Sequence, residues 1–150
     1  MSKFNLIIDS SVMIKWLSSD KEEHLDNAKL ILLDVQKHKG NLIAPELSKY
    51  EVGNVLLAGK KLSTKQGQFA LTQFYNLPIT FISESKEQSK ETFELAYNLK
   101  ITYYDACFIS LTKQYKGILI TDNVKHQGKI SDIKVVALKD YNINTKSVLK

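Results

Sequence analysis

Two short apolar runs in this chain each end in an aspartate, and that repetition narrows the folds open to it. Phe4-Asn5-Leu6-Ile7-Ile8 leads into Asp9, and Ile118-Leu119-Ile120-Thr121 leads into Asp122. Short apolar runs bounded by turn residues read as buried strands. Strand-like runs also fall at Leu42-Ile43-Ala44, stopped by Pro45, at Ile79-Thr80-Phe81-Ile82 and at Val135-Val136-Ala137-Leu138.

Helical segments fill the intervals. The spacing predicts a short helix from Ser11 to about Ser18. It predicts another over 22–38, from Leu25, Ala28, Leu32 and Val35, closed by Gly40. A helix pair follows over 46–61 and 64–76, the second opened by Ser63 with Gln66 in capping-box spacing. Ser85 and Gln88 repeat that signature before a helix to about Leu99, and Thr102 opens another to about Tyr115. Strands separated by such helices predict an α/β fold, a three-layer α/β/α sandwich around a central parallel sheet. Sheets of this kind bind ligands at the carboxyl ends of their strands. Asp9 and Asp122 should therefore share one edge.

With 150 residues, no repeat and no Pro/Gly-rich linker, one domain spanning 1–150 is expected. The mixture of 43% hydrophobic and 25% charged residues is that of a globular rather than a disordered chain. No apolar run approaches the ~20 residues of a membrane span. Met1-Ser2-Lys3 leads straight into a strand without a signal-peptide core, so a cytoplasmic location is expected. Cys107 is the only cysteine, which excludes an intrachain disulfide and a cysteine-built zinc site. It reads as a small buried hydrophobe. The net charge is +5, and every basic residue is Lys, none Arg. Such a chain suits a polyanionic partner held by backbone and shape, since the fork that reads guanine in a groove belongs to Arg; alternatively, the Lys-only usage reflects codon bias and carries no information about ligands.

Four carboxylates then need a reason. Asp9 and Asp122 end strands. Glu51 lies on a helical stripe with Leu47, Val55 and Ala58, and Asp105 lies at helical spacing from Phe108 and Ile109. An ionised carboxylate in an apolar setting is unfavourable unless paired or bound to a cation. Each has a structural explanation: Asp9 as an N-cap, Asp105 as the acid of a Thr102-x-x-Asp capping box, Asp122-Asn123 as a turn. Glu51, in mid-helix, would need a lysine such as Lys15 reaching in. Taken together the four suggest a hard cation, Mg²⁺ or Mn²⁺, which takes oxygen ligands and activates water against a phosphodiester. His24, His38 and His126 sit in polar or Lys-rich surroundings, which argues against a nuclease built on paired imidazoles.

The segments Ile7-Ile8-Asp9-Ser10-Ser11-Val12, Pro45-Glu46-Leu47 leading to Glu51-Val52-Gly53-Asn54-Val55, Tyr104-Asp105-Ala106 and Leu119-Ile120-Thr121-Asp122 resemble, in that order, the PIN domain. Within it they resemble VapC-type toxins of prokaryotic toxin–antitoxin pairs. The resemblance implies a Rossmann-like sandwich, a Mg²⁺- or Mn²⁺-dependent endoribonuclease, a homodimer and a cognate antitoxin that blocks the site. It implies Asp9, Glu51 and Asp105 as the three core acids, with Ser11 and Thr121 as their hydroxyl companions. The fourth motif departs from the family's Thr-x-Asp by reading Thr121-Asp122-Asn123. Either Asp122 serves as the fourth metal ligand, the favoured reading, with Asn123 beside it, or Asn123 takes that place with a neutral oxygen.

The resulting expectation is an RNA-cleaving toxin, with Asp9, Glu51, Asp105 and Asp122 catalytic and Lys15 and Lys125 attracting the RNA backbone. Two alternatives stand beside it. One is an RNA-processing nuclease of the same fold without an antitoxin; the other is a degenerate, non-catalytic scaffold.

Overall fold

Alternating side chains along the strands decide which layer each one meets. Leu6 and Ile8 of the first strand, with Ile118 and Ile120 of the fourth, enter one buried cluster; Ile7 and Leu119 enter a second on the opposite face. A strand buried on both faces reads as a continuous apolar run, as these do. The computed structural model describes residues 3–124, 130 and 132–142. Lys125 and His126 lie outside the described residues.

Five strands form one parallel sheet: β1 (Asn5–Ile8), β2 (Asn41–Pro45), β3 (Ile79–Ile82), β4 (Ile118–Thr121) and β5 (Lys134–Ala137), in the order β3-β2-β1-β4-β5. β1 is therefore central, with Ile8 registered on Ile120, so the residues that follow β1 and β4 emerge side by side. The first cluster packs under helices α1 (Ser10–Met13), α2 (Leu25–His38), α3 (Leu47–Asn54) and α4 (Thr64–Tyr75), through Met13, Ile31, Val52 and Phe74. The second packs under α5 (Lys86–Leu99) and α6 (Tyr103–Gln114), through Leu95, Phe108, Ile109 and Leu111. This is the expected α/β/α sandwich. Truncating a fully buried side chain such as Leu119 to Ala should cost about 2–5 kcal/mol, the usual range for a core cavity.

Several helix ends differ from expectation for local reasons. α1 stops at Met13 and tightens into a 3₁₀ turn over Ile14–Trp16, where the Trp16 indole donates to the Ala28 carbonyl at 2.7 Å. α2 begins at Leu25 rather than 22, because His24 takes a left-handed φ of 58° that a helix cannot include. At its other end the left-handed residue is Lys39, at φ 54°, and the Gly40 N–H completes the closure by donating to the Val35 carbonyl at 3.1 Å. Gly40 is needed for space, since a Cβ there would run into the Phe4 ring. α3 widens into a π-helical turn over Val55–Gly59. The Ser63–Gln66 capping box forms with both bonds, at 3.3 and 3.0 Å. At Ser85 only one half forms, because the Gln88 amide donates instead to the Ser110 hydroxyl.

The helix pair carries more apolar surface than its core face needs. Leu56 and Phe74 are buried, whereas Leu57 and Phe69 are exposed, along with Tyr50 and Tyr75. No helix among the described residues is long and apolar enough to cross a membrane.

Candidate functional site

Asp9 follows β1 directly and stands at the N-cap position of α1, yet its carboxylate makes no capping bond. Its Oδ2 instead accepts the Ser11 hydroxyl at 2.5 Å and the Thr121 hydroxyl at 3.0 Å. The first bond is local; the second spans the β1–β4 junction that the sheet register creates. Thr121 is fully buried, so its hydroxyl is a fixed donor.

Glu51 reaches the same edge from α3. The face of α3 that enters the core is Ser48 and Val52, continued by Leu56 of the π-helical turn, not the stripe through Leu47 and Val55, which pack against opposite clusters. Glu51 lies on the shoulder between them, half-buried, and accepts the Ser10 hydroxyl at 2.8 Å. Ser10 was not singled out by sequence reasoning. Its signal is the run Asp9-Ser10-Ser11, two hydroxyls directly after the first acid.

Asp105 enters from the first turn of α6. The Thr102 hydroxyl caps that helix by accepting the Asp105 backbone N–H at 3.1 Å. The reciprocal bond of a capping box is absent, so capping does not occupy the carboxylate.

The three acids act on one another. Burial pushes Asp9 above the ordinary carboxylate value; hydrogen bonds from Ser11, Thr121 and the Ser10 backbone oppose this, and the charge of Asp105 adds to it. Burial also raises Glu51, against the Ser10 hydroxyl and with the help of Asp9 and Asp105. Among the described residues no lysine comes within 4.0 Å of any of the three.

Lys15, the partner sequence reasoning allowed for Glu51, is buried elsewhere. Its ammonium lies 3.1 Å from Glu22 and 3.2 Å from Asp122, and Lys60 meets Glu22 from the other side at 2.6 Å. The hydrogen bonds from Lys60 and Lys15 outweigh the partial burial of Glu22 and hold its carboxyl below the usual range. With its side chain only 2% exposed, Lys15 is a structural cation. Asp122 therefore divides its roles. Its backbone N–H donates to Ser11 Oγ at 3.1 Å, which touches the site, while its carboxylate serves Lys15. The exposed Asn123 contributes its backbone N–H to Thr121 Oγ1 at 3.0 Å. Cys107, two residues beyond Asp105, is half-buried; burial, then Glu84 and Glu51, push its thiol up to about 12, so it is not a thiolate nucleophile at neutral pH.

A family model for the PIN domain matches residues 6–130. The chain belongs to the PIN domain family. Solved PIN-fold structures agree on the architecture. VapBC2 from Rickettsia felis, bound to a DNA fragment from its promoter, superposes with a TM-score of 0.71 at 16% identity over 89% of this chain and 98% of that one. A toxin–antitoxin complex from Klebsiella pneumoniae gives 0.65 at 19% identity, covering 89% and 97%. VapC20 from Mycobacterium tuberculosis, a sarcin–ricin loop cleaving toxin, gives 0.60 at 9% identity, covering 76% and 86%. No match is found among curated proteins.

For a PIN domain the donor set fits a hard divalent cation in kind: anionic oxygens, with neither thiolate nor imidazole among Asp9, Glu51 and Asp105. The fit in spacing is looser. Among the described residues no three such groups stand at ligating separation, so the acids form an open cluster.

Proposed function

We propose that this chain is a divalent-metal-dependent endoribonuclease, the toxin of a VapBC-type pair, forming one nuclease domain over residues 1–150. The observation that carries the reading is the convergence of Asp9, Glu51 and Asp105 at one strand edge, where the carboxyls of Asp9 and Glu51 are held above their ordinary pKa and, among the described residues, no lysine stands within 4.0 Å. Like charges gathered in this way are unfavourable without a cation. Mg²⁺ or Mn²⁺ would be held by Asp9, Glu51 and Asp105, and would supply Lewis acidity against the charge that develops on a phosphodiester. The protein's own part is orientation. Ser11 and Thr121 fix one oxygen of Asp9, Ser10 fixes Glu51, and the capped start of α6 presents Asp105 with its oxygens free.

The toxin assignment draws on the Rickettsia and Klebsiella structures, which are toxin–antitoxin assemblies, and the RNA substrate on the Mycobacterium protein, which cleaves the sarcin–ricin loop. An antitoxin and a second copy of the chain are the protein partners, and the exposed Tyr50, Leu57, Phe69 and Tyr75 give them apolar surface. The site of action is the cytoplasm. Cleavage of single-stranded RNA with added Mn²⁺, stopped by chelator and by Asp9→Asn or Asp105→Asn in a folded protein, is the test. Chelator-sensitive cleavage by either variant would overturn the assignment.

A second reading keeps the fold as a non-catalytic scaffold, and the Lys15–Asp122 pair favours it by occupying the fourth acid. Calorimetric titration with Mn²⁺ separates the two, because a scaffold should show no binding that Asp9→Asn removes. An RNA-processing nuclease without an antitoxin is distinguished by the absence of a small neighbouring antitoxin gene.

A further inference from the structure

The helices that carry the acids also wall a cleft beside them. α3 contributes Leu47 to the cleft and Glu51, four residues on, to the acid cluster; α6 contributes Tyr104 and Cys107, on either side of Asp105. Pro45 and Ile82, at the carboxyl ends of β2 and β3, form its floor. The cleft encloses about 220 Å³. That is below the ~300–1,000 Å³ of sites for drug-sized ligands and suits one planar ring system.

Its polar groups are mostly engaged. The Gln88 amide donates to the Ser110 hydroxyl, and Glu46 pairs with Lys49 at 3.1 Å, whose ammonium also lies 4.8 Å from the centre of the Phe81 ring. Glu84 differs. Its Oε1 accepts the Tyr103 hydroxyl at 2.6 Å, and no cation among the described residues pairs with it. An ionised carboxylate only accepts hydrogen bonds, and has capacity for a bidentate partner. Tyr104, 60% exposed, offers a ring at the same opening.

An acceptor-only fork beside an aromatic face selects among nucleobases. In a single strand the Watson–Crick edge is open to side chains. Guanine alone presents two adjacent donors there, N1–H and the N2 amino group. Adenine and cytosine set one amino group beside a bare ring nitrogen, and uracil sets one N–H between two carbonyls, each of which a carboxylate repels. We propose that the cleft is a guanine subsite for single-stranded RNA, with Glu84 accepting from N1–H and the N2 amino group and Tyr104 offering a stacking face. The proposal rests on the nuclease reading for its choice of RNA. It adds base recognition to a chain whose lack of Arg pointed only to backbone contacts.

The test uses the whole protein with chelator present and free nucleosides, so that neither metal nor phosphate contributes. Ligand-observed NMR titrations compare guanosine, inosine, adenosine, cytidine and uridine. Guanosine should bind tightest, and inosine, which lacks the N2 amino group, roughly tenfold more weakly. Glu84→Gln should remove the preference for guanosine over inosine, whereas Tyr104→Ala should weaken all five alike, because every base has a face to stack. Thermal melts confirm that both variants are folded. Equal affinities, no saturable binding, or a guanosine-to-inosine ratio untouched by Glu84→Gln would each overturn the subsite. The two readings fail differently. RNA cut without guanine bias sinks the subsite and leaves the nuclease; guanosine bound by a protein that cuts no RNA does the reverse.

Discussion

The Lys15 ammonium lies 3.2 Å from Asp122 Oδ2, so the acid that follows β4 has a paired cation, which among the described residues Asp9, Glu51 and Asp105 lack. A lysine whose side chain is 2% exposed needs its anions, and Glu22 alone is shared with Lys60. The ion pair gives Asp122 a place in the scaffold.

Asp122→Asn should consequently leave Mn²⁺ affinity within about threefold of wild type, whereas Asp9→Asn abolishes binding. The asparagine variant should instead lose about 1 kcal/mol of stability, since a partly exposed ion pair is worth little more. Calorimetry and urea denaturation measure the two quantities. A loss of metal binding equal to that of Asp9→Asn would restore Asp122 as a ligand.

Lys15→Met tests the same network from its centre. The substitution keeps the apolar stem but leaves Glu22 and Asp122 without their shared buried cation, so about 1–3 kcal/mol should be lost. Urea midpoints at neutral pH give the number. If Lys15 instead binds RNA, stability would be unchanged and RNA affinity would fall.

Thr121→Val removes the hydroxyl that Asp9 accepts while keeping its volume. The buried carboxylate then lacks one of its two hydroxyl donors, and RNA cleavage should drop roughly tenfold, the equivalent of one hydrogen bond to a charged group. Thr121→Ser should restore most of it. Cleavage rates at saturating Mn²⁺ decide; equal rates in all three proteins would show that the bond does not position Asp9.

The pH dependence follows from the two raised acids. Burial, with Asp105, places Asp9 above its ordinary 3.8; burial, with Asp9 and Asp105, places Glu51 above 4.5. The folded chain therefore holds protons that the unfolded chain has released. Their contribution is fully present below the unfolded values and is lost as pH rises through the raised ones. With chelator present, wild type should lose stability relative to Asp9→Asn from roughly pH 4 upward, and added Mn²⁺ should restore it only in wild type. Thermal melts across pH check this. A constant difference between the two proteins would contradict it.

The sheet was legible because β1 and β4 are buried on both faces and have no polar face to blur the run. The shared edge of Asp9 and Asp122 was legible for the same reason, since parallel neighbours must end together. The stripe on which Glu51 was read is not the core face of α3. Leu47 and Val55 serve different layers, a distinction that helical periodicity in one segment does not carry. The fate of Asp122 was hidden because Lys15 and Glu22 sit on a 3₁₀ turn and the irregular segment after it, where spacing gives no geometry. The cleft was hidden too, as its walls come from the ends of β2 and β3 and from α3, α5 and α6, brought together only by the fold.

The central place of β1 has a consequence for synthesis. A chain leaving the ribosome completes β1 and Asp9 early, but β4, which must slide in beside them, is more than a hundred residues behind. Until β4 is made, the aspartate has neither its Thr121 donor nor the strand that carries it. The anionic pocket is thus assembled only after β4 has been made, and a truncated product that stops before β4 carries the acids without the place where they meet.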